Sequence, residues 1–356
     1  MKYAEEVKKY KSIREAAKAL KIPRSTLQYR IAQEKTGTLN PAIPDGFAVK
    51  KLSTYQNGQW TIAEPERDIL EAAMDTMRKE FADSLPRAEL CMTPPGVTDS
   101  DLLTTYILTD YHLGMLAWHE ETGADWDIKI AEDLLIKYFR YAVNMSPASD
   151  VAILANIGDF LHFDGMLPVT PTSKHVLDAD TRFQKLIRVA IRAMRLAVSI
   201  MLEKHKYVRI LHAMGNHDES SSAWLRECFN VFYEDDPRVS VDVRPDPYYC
   251  YEFGNTSLFF HHGHKRRVGN IDTVFAGKFR EIFGRTKYSY GHMGHLHSVD
   301  VKETNLMIIE QHRTLAAPDA YASSGGWLSG RSSCAITYSR DYGELSRVTV
   351  PVEMLK

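Results

Sequence analysis

The sequence predicts an α/β protein preceded by a short all-α head, and three observations carry that prediction. Apolar, strand-like runs recur at Thr105–Thr109, Val151–Ile157, Val208–Ala213 and Ser257–His261, each closing on a polar cluster. Long amphipathic helical patterns separate them, notably Lys129–Val143 and Thr181–His205. Strand, loop and helix in repeated alternation is the signature of an α/β architecture. The first three dozen residues instead carry two short helical patterns joined by a tight turn.

In that head, Ser12 stands where an N-cap belongs and Glu15 follows three residues later, a capping-box start. Ala16, Ala17 and Leu20 form the apolar stripe of the first helix. Lys21-Ile22 makes the connection, and Pro23 suits the first turn of a second helix over Pro23–Ile31. The second helix buries Leu27 and Ile31 and presents Arg24, Ser25, Thr26, Gln28 and Arg30. This arrangement resembles a helix-turn-helix DNA-binding unit. The alternative is a helical hairpin for oligomerisation or docking. Charge separates the head from the body: residues 1–35 hold ten Lys/Arg against four Asp/Glu, while the remainder holds 34 against 42. A basic head on an acidic body is suited to an anionic polymer, although a solvated helical face has the same composition.

Residues 36–45 are rich in turn formers and are expected to be a linker. A hairpin around Asn57-Gly58 is expected between Gly46 and Ile62, then a helix over roughly Glu64 to Ser84 and a loop over Met92–Asp99. The expected organisation is thus 1–35 as the helical head, 36–100 as linker, hairpin and helix, and 101–356 as the main domain. With 44% hydrophobic and 25% charged residues, the 356-residue chain can bury a large core. Its longest apolar pattern, Phe183 to Met201, is interrupted by Lys185, Arg188, Arg192 and Arg195 and is amphipathic rather than membrane-spanning. The start of the sequence has no signal-peptide pattern, and Cys91, Cys228, Cys250 and Cys334 form no Cys-x-x-Cys pair. A cytoplasmic location is the expectation.

Five clusters follow the apolar runs: Asp110-Tyr-His112-Leu-Gly114, Gly158-Asp159, Gly215-Asn216-His217-Asp218, His261-His262-Gly263-His264 and Gly294-His295-Leu-His297. Singly each is weak, since a Gly-Asp is a common turn and a lone histidine is usually a satisfied core or surface residue. Together, at the places where loops leave strands, they point to a site. Carboxylate, imidazole and amide oxygen in one ligand set suit Mn, Fe or Zn. Alternate residues of an extended segment share a face, so Asp110 and His112 can meet one ion.

The ordered set Asp-x-His, Gly-Asp, Gly-Asn-His-Asp, His-Gly, Gly-His-x-His resembles the calcineurin-like metallophosphoesterase superfamily over about residues 104–300. Details of the first and third clusters are most similar to SbcD-type DNA repair nucleases, and the chain with its helical head is similar to phosphoesterases of phages and prophages. The resemblance implies a two-sheet αββα sandwich and two divalent metal ions, with Mn preferred and Fe or Zn as alternatives. It implies that Asp110, His112, Asp159 and His297 hold the first ion. Asp159 would bridge to a second, completed by Asn216, His262 and His295. It also implies that His217 stabilises the transition state or protonates the leaving oxygen, with Asp218 as its orienting partner.

Other residues are candidates for substrate contact. His162 and Asp164 follow Gly158-Asp159 closely and could reach the pocket or cap a loop. His264 could lie near substrate, whereas His292 is expected to stay outside the site. Arg313, after an expected strand at Asn305–Gln311, could fork a phosphate but suits a surface salt bridge better. Lys265-Arg266-Arg267 could track a polyanion or be solvated. The leading expectation is therefore a metal-dependent DNA phosphodiesterase. The alternatives are a phosphatase or phosphodiesterase for small nucleotides or phosphoproteins, and a non-enzymatic DNA-binding regulator with a vestigial site. DNA is the expected partner, no membrane is expected, and two-fold self-association remains open.

Overall fold

The computed structural model describes residues 3–21, 47–55, 58–65 and 96–355, with the single positions 24, 27, 28, 31, 72 and 76. The chain divides into two compact units, Met1–Glu80 and Phe81–Lys356.

In the first unit, helix α1 spans Tyr3–Glu6 and helix α2 spans Ile13–Ala19. Ser12 caps α2 as its sequence demands, its hydroxyl accepting from the Glu15 backbone N–H at 3.2 Å. The Glu15 carboxylate reaches back to the N–H of Lys11, also at 3.2 Å. Ala16, Ala17, Leu27 and Ile31 make a small apolar cluster. Arg24 and Gln28 are helical and exposed. Ser25, Thr26 and Arg30 lie outside the described residues, as does the linker at 36–45. Strands β1 (Phe47–Tyr55) and β2 (Gly58–Pro65) pair antiparallel, closing at Tyr55 opposite Gly58. The expected helix from Glu64 cannot start there, because Glu64 pairs with Ala48 in β2. Of the residues expected in that helix, Ala72 and Thr76 are helical and most others fall outside the described residues.

The second unit is a four-layer α/β sandwich. Its larger sheet has the order β13-β12-β3-β4-β5-β6, built from β3 (Asp99–Leu108), β4 (Ser149–Asn156), β5 (Tyr207–His212), β6 (Val239–Val241), β12 (Ser332–Ser339) and β13 (Gly343–Pro351). Strands β3 to β6 run parallel, and β12 lies antiparallel against β3. The smaller sheet has the order β10-β11-β9-β8-β7, from β7 (Tyr249–Phe253), β8 (Thr256–Phe260), β9 (Tyr288–Met293), β10 (Asp300–Glu303) and β11 (Ile308–Gln311). Its β8, β9 and β11 are parallel.

The helices follow from sequence periodicity. Helix α3 is a single turn, His119–Thr122. Helix α4 (Ile128–Met145) buries Ile128, Ala131, Leu134, Leu135, Tyr138, Phe139 and Ala142, the i, i+3, i+4 stripe of an amphipathic helix. Asp127 caps it, accepting from the N–H groups of Lys129 and Ile130 at 2.7 Å each. Helix α5 (Phe183–Leu202) repeats the stripe from Leu186 to Met201. Helix α6 (Glu219–Phe232) crosses from β5 to β6, and the short helices α7 (Asp272–Lys278), α8 (Arg280–Arg285) and α9 (Ala320–Ser324) complete the set.

Three apolar cores separate the layers. The first packs α4, α5 and α6 on one face of the large sheet through Tyr106, Leu154 and Ile210. The second lies between the sheets, joining Ile107, Ile153, Ala155 and Leu211 to Tyr249, Leu258 and Phe260. The third covers the small sheet with Phe275, opposite Phe259 and Ile309. Alternation along β8 sends Leu258 and Phe260 one way and Phe259 the other, as the pleat requires. Among the described residues, no helix is long and apolar enough to cross a membrane.

Candidate metal centre

Parallel strands within each sheet bring their carboxyl ends to one edge, where open α/β folds gather their sites. There the ends of β3, β4, β5, β8 and β9 release Asp110, Asp159, Asn216, His262 and His295. Pairing continues past the strands: the N–H of Asp110 donates to Gly158 O at 3.0 Å, His112 to Asp159 O at 3.0 Å, and Gly294 to His262 O at 2.8 Å. These bonds fix the loops that carry the functional side chains.

Three overlapping groups of candidate ligands result: Asp110 with His112 and His297, Asp159 with His262 and His295, and His112 with His162 and His217. They adjoin: His262 Nε2 is 3.0 Å from Asp159 Oδ2 and 3.8 Å from Asp110 Oδ1, while His297 Nε2 is 3.2 Å from Asp110 Oδ1. His112 Nε2 and His297 Nε2 approach to 3.3 Å. Asp110, Asp159, His112 and His262 are buried. Asp110 Oδ1, His262 Nε2 and Asn216 Oδ1 are buried without an aligned hydrogen-bond partner. Buried acceptors left in that state cost free energy unless something fills the space between them. Converging imidazole nitrogens and carboxylate oxygens fit a divalent cation.

Each carboxylate is held by one oxygen and leaves the other to the centre. Asp110 Oδ2 accepts from Thr109 Oγ1 at 2.6 Å and from the His295 N–H at 2.8 Å. Asp159 Oδ1 accepts from the His217 N–H at 2.8 Å. His262 donates Nδ1–H to Ile157 O at 3.1 Å, which turns the Nε2 lone pair inward. Thr314 donates to Asp110 O at 2.6 Å and anchors the first loop from the far end of the chain. Neither threonine was legible as a site residue, because hydroxyls are not typical ligands and only the fold places them here.

The electrostatics describe a centre that draws positive charge. Burial alone would raise the Asp110 carboxyl, yet His297 and His262 hold it well below the carboxylate range. For Asp159, burial is again outweighed by His262 and His217. Burial opposes protonation of His262, but Asp159 and Asp110 push it up to about 9. A proton there occupies a place suited to a metal ion. Burial and the neighbouring imidazoles of His217, His162 and His297 hold His112 well below 6.5.

Backbone strain concentrates in the same residues. Asp110 (φ 50°), His112 (47°), Asp159 (51°), His295 (77°) and His297 (56°) are all left-handed. Each costs about 1–2 kcal/mol for a residue bearing a Cβ. Outliers gathered in this way mark a functional site whose surroundings over-determine it.

His217 lies at the rim of the cluster, its ring 4.7 Å from that of His112. Its Nδ1 donates to His162 O at 2.8 Å, so Nε2 is the ring nitrogen turned away from that carbonyl. Asp218 is therefore not its orienting partner. The chain turns into α6 at that residue, so the buried carboxylate points back beneath the loop and accepts from Gly215 N at 3.0 Å and Leu161 N at 3.1 Å. Burial, reinforced by the nearby Asp159 charge, pushes its carboxyl up to about 7. Asp164 is likewise not free for substrate. It caps α6 from a distance, accepting from Ser221 N at 2.6 Å and Ser220 N at 2.7 Å. His162 is in the cluster, with Nδ1 3.3 Å from His112 Nδ1. His264 is adjacent, its ring 5.4 Å from that of His262. Arg313 is exposed, with its guanidinium against Gly330.

His292, Glu310 and His312 form another buried group of ligand-type residues. It closes on itself: Tyr338 OH meets His292 Nε2 at 2.9 Å, His292 Nδ1 meets His312 Nε2 at 2.9 Å, and both Glu310 oxygens take the Arg347 fork at 2.5 and 2.7 Å. With its atoms satisfied and a guanidinium beside it, this group suits no cation.

No family model matches the chain, and no curated protein matches it. Solved structures do. YfcE, a phosphoesterase from E. coli, is 11% identical over 69% of this chain and 99% of its own, with a TM-score of 0.35. An archaeal phosphodiesterase is 10% identical over 69% and 99%, TM-score 0.33. A Streptococcus pneumoniae TIGR4 protein described as a predicted phosphoesterase is 12% identical over 70% and 98%, TM-score 0.30.

Proposed function

We propose that the chain is a metal-dependent phosphoesterase of the calcineurin-like type, cleaving phosphodiesters with two divalent ions, and that DNA is its substrate. The observation that carries the hydrolase reading is the convergence of Asp110, His112 and His297 on Asp159, His262 and His295, with buried acceptor atoms lacking partners. Asp110, His112 and His297 would hold one ion; His262, His295 and Asn216 would hold the other; Asp159 would serve both. Ions so held supply Lewis-acid neutralisation of phosphoryl oxygens and activate water near neutral pH.

The chain's own residues do the rest. Backbone N–H groups of His295 and His217 fix the two carboxylates, so their free oxygens need no rearrangement during reaction. His217, tied at Nδ1 to a carbonyl, offers Nε2 as the position from which a proton passes to the leaving oxygen. Asp110, His112, Asp159 and His262 are buried, while Asn216, His217, His295 and His297 are partly exposed and face the side from which water and substrate enter.

DNA is supported by the basic balance of residues 1–35, by exposed helical Arg24 and Gln28, and by the motif resemblance. The experiment is hydrolysis of bis(p-nitrophenyl) phosphate and of single- and double-stranded DNA by Mn-loaded protein, beside Asp159→Asn and Arg24→Glu. Loss of all hydrolysis in the first variant and of DNA cleavage alone in the second is the expected result. Protein loaded with two ions per chain that cleaves no phosphoester defeats the hydrolase reading; cleavage of aryl esters but of no DNA moves the substrate to small nucleotides.

A further inference from the structure

A cleft of about 370 Å³ opens directly beside the metal centre, with Gly294 and His295 forming one wall and Lys265, Arg266 and Arg267 another. Its volume lies in the range of small-molecule subsites. All formally charged residues lining it are basic: the rest of the boundary is Gly263, His264, Asn270, Met293, Leu296 and Gln311, and no carboxylate enters. Among the described residues, Lys265, Arg266 and Arg267 make no ion pair, as is also true of exposed Lys129, Lys185 and Arg188; what sets the three apart is that they are consecutive and line one cleft.

Three adjacent cations with no counter-charge repel one another, an arrangement that is relieved when an anion enters. The loop that carries them cannot drift far, because it leaves the buried ligand His262 and returns to the core at Val268. Guanidinium groups take phosphate in a two-pronged fork and lysine adds a point charge.

Resting on the phosphoesterase reading above, we propose that this cleft is a second phosphate subsite, so that the preferred substrate carries a phosphate next to the one being cleaved. The scissile phosphate sits at the metal centre and its neighbour enters the cleft. That neighbour comes from the adjoining residue of a polynucleotide strand or from the chain of a nucleoside polyphosphate. The bare alternative is a solvated basic run with no role in binding.

The test uses full-length protein and the triple variant Lys265→Gln, Arg266→Gln, Arg267→Gln, whose exposed positions leave the core intact. Binding is read first in chelator, where no cleavage occurs, with fluorescent oligothymidylate and with a fluorescent thymidine triphosphate over a range of salt. The variant is expected to bind at least one probe about tenfold more weakly. For oligothymidylate its log–log salt dependence should fall by about 0.7 for each phosphate that the cleft no longer neutralises. Weaker binding of oligothymidylate assigns the second phosphate to a strand; weaker binding of the triphosphate alone assigns it to a mononucleotide. Wild-type affinity and salt dependence for both probes overturn the subsite. With metal restored, the ratio of kcat/KM for the more weakly bound probe to that for bis(p-nitrophenyl) phosphate should drop about tenfold. If wild-type protein cleaves neither ester yet the variant still binds more weakly, the hydrolase reading fails and the anion subsite stands.

Discussion

Gly215 lies so close against Asp159 that a Cβ at position 215 would overlap both the carboxylate oxygen Oδ1 and the backbone nitrogen of the aspartate. Gly294 stands in the same relation to Thr109 and Asp110. The glycines of the Gly-Asn-His-Asp and Gly-His-x-His motifs are thus spacers that let two loops touch behind the candidate ligands. Gly215→Ala should displace Asp159, lower metal content below one ion per chain and reduce activity more than about 100-fold. Elemental analysis of the purified variant, beside its activity, measures both.

His217→Ala should leave metal content unchanged and lower kcat by about 10²–10⁴-fold on a diester with an alkoxide leaving group. With p-nitrophenolate, which leaves without a proton, the drop should be much smaller. Equal drops on both esters would remove the general-acid role and leave His217 a stabiliser of charge.

Asp164→Ala removes two charged hydrogen bonds from the first turn of α6 and should cost about 1–2 kcal/mol of stability. A Tm lower by a few degrees, with kcat reduced far less than in His217→Ala, is the expected pair of results from calorimetry and a diesterase assay.

His205 is fully buried between Tyr106 OH at 2.7 Å and Ser149. Burial pulls its imidazole down to about 4 from the ordinary 6.5, more than the Ser149 hydrogen bond restores. The unfolded chain therefore binds a proton that the folded chain refuses. The resulting stability is present above pH 6.5 and is lost as pH falls toward about 4, at most about 3 kcal/mol. Thermal melts between pH 7 and 4 should show a slope that His205→Gln makes shallower.

Chelation should lower Tm and Mn should restore it, because ions that bind only the folded state stabilise it by about 2.7 kcal/mol at a hundredfold excess over Kd. A Tm indifferent to both treatments would mean that the buried acceptors of the cluster tolerate an empty centre.

The strand ends and the motif residues following them were legible because short-range patterns place them: apolar alternation, then a residue of ligand chemistry. Where an inference needed two distant segments, sequence spacing misled. Asp218 follows His217 and suggests a partner, but the turn into α6 separates their side chains. Asp164 follows Asp159 by five residues, a spacing that suits either the pocket or a cap; its carboxylate bonds to residues 220 and 221, which only the packing of α6 brings near. Thr314 is 204 positions from the carbonyl it supports.

Strand β3, which delivers Asp110, is flanked by β4 on one side and by β12 on the other. A ribosome must release more than two hundred residues after β3 before that second neighbour exists. Until then β3 is a bare sheet edge, and the inter-sheet core lacks Cys334, Ile336 and Tyr338. Strand β12 is therefore the piece that covers this edge, and a chain interrupted before Ser332 leaves the loop that carries Asp110 unsupported on that side.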